Sequence, residues 1–203
     1  MSIPEHYSQG DEERAILEFF GNSPDGMFLD IGAWNGVTFS NTRRLVEMGW
    51  GGVLVEPSAN AFRDLLWSCK EHPRVTCVCV AVTLYGGWVE FWQTDDALST
   101  TDLEHRDKWV RGFNVDFRPS ILFAVTPAQL LNRFPGPYDF LKIDVEGKLN
   151  RDLTLEFISM NAASARLLCV EIDGPFEAEV TSRAGDIGFR PVHRTADNLL
   201  LGR

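Results

Sequence analysis

Phe28-Leu29-Asp30-Ile31-Gly32-Ala33-Trp34-Asn35-Gly36 is the stretch that decides the fold. Apart from Asp30 its first half is apolar and suits a strand buried on both faces, and the glycines then turn the chain toward Ser40, expected to cap a helix. Further β-rich apolar runs lie at Val53–Val55, Val75–Val82, Tyr138–Val145 and Leu167–Ile172. Between them Asn41–Met48, Asn60–Glu71 and Arg151–Met160 repeat apolar residues every three or four positions, as in Phe62, Leu65, Leu66 and Cys69, which predicts helices. Strand and helix alternating in this order predict an α/β fold with right-handed crossovers and a mostly parallel sheet covered on both sides. Ligands of such sheets sit at the carboxyl ends of the strands, near a switch point in strand order.

Two regions depart from the alternation. Gly188–His193 and Asn198–Leu201, joined by a polar turn at Thr195-Ala196-Asp197, predict an antiparallel hairpin that closes one sheet edge. Residues 83–137 read as an insertion with a Gly86-Gly87 hairpin, a mixed-charge stretch from Asp102 to Arg118 and a helix over Pro127–Phe134. The charged stretch is either a solvated loop or the segment that recognises a reaction partner.

The chain has 203 residues and a formal charge of −10, with 44% hydrophobic residues, enough for one domain and too little for two. That charge makes nucleic acid or an anionic membrane a disfavoured partner, although Arg106, Lys108, Arg111 and Arg118 form a local basic exception. No apolar run reaches the roughly 18 residues of a membrane span and the start MSIPEHYSQGDEER is unlike a signal peptide, so the chain reads as soluble and cytoplasmic. Cys77, Cys79 and Cys169 lie in apolar runs and read as buried thiols, and no Cys or His spacing suits zinc.

The glycine loop is selective in what it accepts. Its G-x-x-x-G spacing lacks the third glycine of the dinucleotide fingerprint, and no Gly-Lys-Ser or Gly-Lys-Thr phosphate loop exists in the chain. Asp30 at the strand tip opposes pyrophosphate and favours a cationic group. Glu56, 26 positions on at the end of the next strand, is placed to accept ribose hydroxyls. A ribose with a cationic tail describes S-adenosylmethionine, with Asp30, Gly32, Trp34, Asn35, Gly36, Ser40, Glu56 and Pro57 as the residues expected around it. The bland alternative makes Asp30 a turn cap, the glycines backbone joints and Glu56 a solvated acid.

Four blocks together resemble the FkbM-type S-adenosylmethionine-dependent methyltransferases: Phe28 to Gly36, Ser40-Asn41-Thr42, Gly49 to Pro57, and Asp139-Phe140-Leu141-Lys142-Ile143-Asp144-Val145-Glu146-Gly147. The resemblance runs from about residue 8 to residue 200, without a clear match over 94–120. It implies a Rossmann-like class I methyltransferase fold, a mostly parallel seven-stranded sheet with the C-terminal hairpin, in one domain over 1–203 whose insertion at 83–137 recognises the acceptor. It also implies Asp30, Gly32 and Glu56 around the cofactor and, commonly, a hydroxyl oxygen as methyl acceptor. The family often continues D-V-E-G-Y-E; here Lys148-Leu149-Asn150 follows Gly147, so a family acid is missing in the stretch that holds Asn150.

Period-two alternation places Lys142, Asp144 and Glu146 on one side of their strand, with both acids at its carboxyl end. They are the candidate catalytic residues: Asp144 as acceptor-side base or orienting group, Glu146 sharing that task or fixing the turn, Lys142 as their deeper partner. Alternatively Lys142 only pairs with Asp144 and Glu146 only caps the next helix, or Asp144, Glu146 and Asp173 hold a divalent metal, which is not the expected arrangement. Glu171 and Asp173 end the next strand, where they line the acceptor site or satisfy loop amides before Pro175. Trp34 is expected on the cofactor; Trp88, Phe91 and Trp92 form either an aromatic wall of the site or core and hairpin packing, the commoner role of Trp at such positions. The leading reading is O-methylation of a sugar, glycan or other small molecule. Methylation of an RNA ribose, a noncatalytic cofactor-binding module and a nicotinamide oxidoreductase are the alternatives.

Overall fold

The computed structural model describes residues 6–21, 23, 25–94, 96–160, 164–172 and 175–203. The glycine-loop strand β1 (Met27–Ile31) lies at the centre of a seven-stranded sheet, next to β2 (Gly51–Val55) and β3 (Val75–Val78) on one side. On its other side stand β7 (Phe140–Ile143), β8 (Leu167–Glu171), β10 (Asn198–Gly202) and, at the edge, β9 (Arg190–Arg194). β3, β2, β1, β7 and β8 are mutually parallel, and β10 runs antiparallel between β8 and β9. The order reverses at β1, which puts the switch point between β1 and β7.

Side chains alternate between two cores as the pleat requires. Leu29, Ile31, Val53, Val55, Leu141, Ile143, Leu168 and Val170 bury on one face, beneath α6 (Lys148–Ser159) and α7 (Glu177–Asp186). Phe28, Leu54, Phe140, Leu167, Cys169 and Leu200 bury on the other, against α1 (Glu12–Phe20), α2 (Arg43–Glu47) and α3 (Ala59–Cys69). Asp30 and Lys142 share the second face, in direct register with each other and with Cys169. Two charged residues thus sit mid-sheet, where a large apolar side chain would contribute about 1.5–3 kcal/mol by burial.

A second sheet accounts for residues that did not fit the alternation. The expected strand Val75–Val82 splits: β3 stays with β2, while β4 (Ala81–Val82) leaves to pair with β6 (Arg118–Val125). Cys79 falls at the split and is exposed rather than buried. The expected Gly86-Gly87 hairpin is absent too, because β5 (Gly87–Gln93) pairs antiparallel with β6, which lies between β4 and β5. The mixed-charge stretch is mostly α4 (Leu103–Phe113), and α5 (Pro127–Arg133) follows β6. No helix of the described residues is long and apolar enough to cross a membrane.

Asp102 caps α4 through its Oδ1, which accepts from the amides of Glu104 (2.8 Å) and His105 (3.4 Å). Its Oδ2 accepts from the Lys148 amide (2.9 Å) in the first turn of α6, so one carboxylate serves two helix N-termini. Burial opposes its charge, but the three amides outweigh it and hold Asp102 below the usual carboxylate range. Gly147 is fixed by the same contact, since its φ of 89° favours glycine and a Cβ there would meet Asp102 Oδ2 at 2.7 Å. Asp102→Ala is expected to cost about 1–2 kcal/mol for each helix end it uncaps, measurable by chemical denaturation, whereas Asp102→Asn, with one acceptor oxygen in place of two, keeps the cap of one helix and loses that of the other.

Candidate active site

The loop after β1 turns on backbone contacts. The amides of Gly32 and Ala33 both donate to the Val55 carbonyl at the end of β2 (3.0 and 3.1 Å). Gly32 has φ 85° and a Cβ on it would lie 1.7 Å from the Asp144 carbonyl oxygen, so only glycine lets the loop close onto β7. Trp34, at φ 47°, donates its amide to Glu56 Oε2 (2.9 Å), and Ser58 donates to Glu56 Oε1 (2.7 Å). Asn35 holds the turn beyond by accepting from the amides of Val37 and Thr38 (2.9 and 2.8 Å). Ser40 Oγ accepts from the Thr42 and Arg43 amides (3.3 and 3.0 Å) at the start of α2, the capping role expected of it.

Behind this loop lies a buried chain of charge. Lys142 Nζ reaches the Asp144 carboxylate (3.0 Å), the Gly32 carbonyl (3.0 Å) and Asp30 Oδ1 (3.5 Å). The Gly32 carbonyl accepts a hydrogen bond from the ammonium, and the two carboxylates stand at ion-pair distance. Burial works against the charge on Lys142, and the carboxylates of Asp144 and Asp30 more than offset it, holding its pKa above the usual lysine value. Asp30 accepts from Thr42 Oγ1 (2.6 Å); burial still lifts its carboxyl above the ordinary range, against the pull of Lys142 and Thr42. Glu171, opposite Asp144 across the β7–β8 register, is pushed up to about 10 by burial and by the charges of Asp144 and Glu146. The two side chains are hydrogen-bonded to each other.

A cleft opens at the carboxyl ends of β1, β2 and β7 and encloses about 1030 Å³ of space continuous with solvent. Gly32, Trp34, Ser40, Glu56, Pro57, Lys142, Asp144 and Glu146 all line it, and Glu171 joins them. Asp30 does not: it is fully buried beneath the loop and supports Lys142 instead of facing a ligand. Asn35 and Gly36 also stand behind the wall, Gly36 packed against Leu65. The opposite wall comes from Val80 to Val82, Phe91 and Ser99 to Thr101. Phe91 is thus a wall residue, and Trp88, expected in packing, is 75% exposed. Asp173 lies outside the described residues, among which no three His, Cys, Asp or Glu side chains gather as a metal would require.

The family model for the FkbM methyltransferase domain matches residues 30–148, more than half of the chain and the very segment that carries this cleft. The chain belongs to the FkbM methyltransferase family. No curated relative matches its sequence. Among solved structures it is similar to a candidate RNA methyltransferase from Pyrococcus horikoshii, with 11% identity, 94% of this chain and 80% of that one covered, and a TM-score of 0.52. A TehB-like S-adenosylmethionine-dependent methyltransferase from Corynebacterium glutamicum overlaps at 9% identity, covering 97% and 89% with a TM-score of 0.49. Aeropyrum pernix fibrillarin with natively bound S-adenosyl-L-methionine overlaps at 11% identity, covering 87% and 65% with a TM-score of 0.47. The likeness at this level of identity is one of fold, the Rossmann-like fold of these methyltransferases.

The family implies S-adenosylmethionine, and the cleft of this FkbM methyltransferase fits that group. Each Glu56 oxygen accepts one backbone amide, so each keeps acceptor capacity for a ribose hydroxyl. Asp144 and Glu146 give the far rim an acidic lining suited to a cationic tail.

The departure at Lys148-Leu149-Asn150 has a structural reading. Asn150 is buried; its Oδ1 accepts from the Val145 amide (3.1 Å) and its Nδ2 donates to the Glu171 carbonyl (2.7 Å), a donor role no carboxylate fills. It ties the β7 tip to the β8 tip. His105 and Thr100 were not among the expected site residues: His105 Nε2 stands 3.4 Å from Glu146 Oε2, and Thr100 Oγ1 donates to the Glu146 carbonyl (3.1 Å). Asp102 ahead of an apolar-periodic Leu103, Trp109, Val110 and Phe113 was the signal that α4 begins there.

Lys142→Met tests the buried chain of charge. It leaves Asp30 uncompensated in the sheet and should cost about 3–5 kcal/mol of stability, most of it returned by adding Asp30→Asn. Urea unfolding of the two single variants and the double variant measures that coupling.

Proposed function

We propose that this chain is an S-adenosylmethionine-dependent O-methyltransferase that methylates a hydroxyl of a sugar, glycan or other small molecule. One observation carries the reading: Glu56 and the Lys142-anchored Asp144 line a single cleft at the switch point of a methyltransferase sheet. When bound, the cofactor supplies a methyl group on a positively charged sulfur, open to in-line attack by an oxygen. Glu56 accepts from the ribose hydroxyls, with Trp34, Pro57 and Val80 giving apolar surface beside it. Asp144 and Glu146 face the reacting end, and Ser99 to Thr101 with α4 form the acceptor side.

Asp144 is anchored by the Lys142 ammonium (3.0 Å) and by its contact with Glu171, so it is a well-fixed hydrogen-bond acceptor. Its main task is to orient the acceptor hydroxyl along the methyl–sulfur line and take its proton as the new C–O bond forms. Orientation of this kind supplies roughly 7–11 kcal/mol of a barrier, whereas a positioned base adds a factor of about 100 to 10,000. The charge of −10 weighs against RNA as the acceptor.

S-adenosylhomocysteine at about 100 times its dissociation constant should stabilise the protein by roughly 2.7 kcal/mol, with no response to NAD. Asp144→Asn should keep that thermal shift and lose about a hundredfold or more in labelled methyl transfer; full transfer by the variant would remove Asp144 from the reaction.

The cofactor affinity should depend on pH. Burial pushes Glu56 up to about 7, opposed by the Ser58 and Trp34 amides, while ribose hydroxyls favour its ionised form. Affinity for S-adenosylhomocysteine therefore rises by up to about tenfold per pH unit toward pH 7 and levels off above it. Between the ordinary value of 4.5 and about 7 the folded state binds more protons at Glu56 than the unfolded chain, so this group lowers the stability of the ligand-free protein as pH rises. Calorimetric titration at several pH values checks this; Glu56→Gln should flatten the profile.

A further inference from the structure

A second concavity adjoins the cofactor cleft and differs from it in sign. Lys108 and Arg111 of α4 face Lys148 and Arg151 of α6 across a groove whose acids are Asp102 and Glu104. Four cations against two carboxylates stand out on a chain of charge −10. Of the two acids, Asp102 is committed to three backbone amides. Glu104 pairs with Lys148 in an exposed contact of the kind that contributes little and yields to a better-placed anion. Arg151 pairs with the neighbouring Asp152 (2.7 Å), and Arg111 Nε donates to the Asp107 carbonyl (3.2 Å).

The groove and the reacting end of the cleft are lined by adjoining residues of the same two segments. Thr101 and Glu146 line the cleft, and the next residue of each segment, Asp102 and Gly147, lines the groove. Successive Cα atoms are about 3.8 Å apart, so a molecule with its hydroxyl at Asp144 and Glu146 extends into the groove within a few bonds. We infer that the methyl acceptor is a small hydroxylated molecule bearing an oxyanion, a phosphate, sulfate or carboxylate group, which Lys108, Arg111, Lys148 and Arg151 hold while its hydroxyl meets the acids of the β7 tip. The inference rests on the proposed methyltransferase reading and names its substrate class. Planar guanidinium forks beside two ammonium groups suit a multidentate oxyanion.

Two measurements separate this inference from the activity it rests on. Inorganic phosphate and sulfate, compared with chloride at matched ionic strength, should raise the melting temperature of the wild-type protein and not that of Arg111→Gln/Arg151→Gln. The double variant should keep the full thermal shift with S-adenosylhomocysteine. An equal response of both proteins to the oxyanions would overturn the groove assignment while leaving the cofactor reading intact. In labelled methyl transfer to a filtered small-molecule extract, the labelled product should bind an anion exchanger at neutral pH. The double variant should label it about tenfold less at limiting extract, through KM rather than kcat. A labelled product that is neutral, or one found in a ribonuclease-sensitive macromolecular fraction, overturns the assignment to an anionic small molecule.

Discussion

An ammonium group buried mid-sheet sets the terms for the rest of the site. Lys142 is almost fully enclosed, and its three contacts reach a different element each: Asp30 on β1, the Gly32 carbonyl in the loop and Asp144 past the end of β7. Each tolerates little movement, because an unmatched charge at that depth costs several kcal/mol. The loop must therefore close down onto β7, which is why Gly32 has no room for a Cβ beside the Asp144 carbonyl. Asp144 in turn is fixed in place, and burial together with the neighbouring Asp144 and Glu146 raises the pKa of Glu171. A buried ion pair is a poor source of net stability; here it specifies one loop position and one ionisation pattern.

The central sheet was legible because parallel strands buried on both faces leave continuous apolar runs, and Met27–Ile31 coincides with β1. The interruptions in those runs, Asp30 and Lys142, were legible as anomalies, although their meaning was not. Period-two alternation puts Asp30 and Lys142 on one face, but sequence alone does not reveal that the face is closed over Asp30 and open beyond Asp144. That difference depends on α2, whose Thr42 hydroxyl completes the burial of Asp30. Asp30 therefore lies deeper along the strand than the cleft wall where it was expected.

The insertion was far less legible. Val75–Val82 carries one uninterrupted β signal, yet its two ends belong to different sheets, and the break at Cys79 and Val80 is dictated by β6, more than thirty residues away in sequence. Pairing partners that distant leave no local trace. Alternating charges in Asp102–Arg118 suggested a solvated loop because α4 turns one face to water, with Leu103, Val110 and Phe113 exposed. Its order comes from the Asp102 cap and from the contact of His105 with Glu146.

Those same contacts tie the chemistry of the two halves together. Asp102 holds the starts of α4 and α6, Thr100 and His105 hold Glu146, and Asn150 holds the tips of β7 and β8. The reacting end of the cleft is therefore built jointly by the sheet and the insertion. Acids at the sheet's strand tips line the cleft, and the cations of α4 and α6 line the neighbouring groove. A reaction that brings a sulfonium to an anion-bearing nucleophile needs both signs within a short distance, and opposite charges held by separate elements keep them from neutralising one another. Joining α4 to α6 through one carboxylate preserves that separation with a single residue: Asp102 aligns two cationic helix faces while spending its own charge on amides.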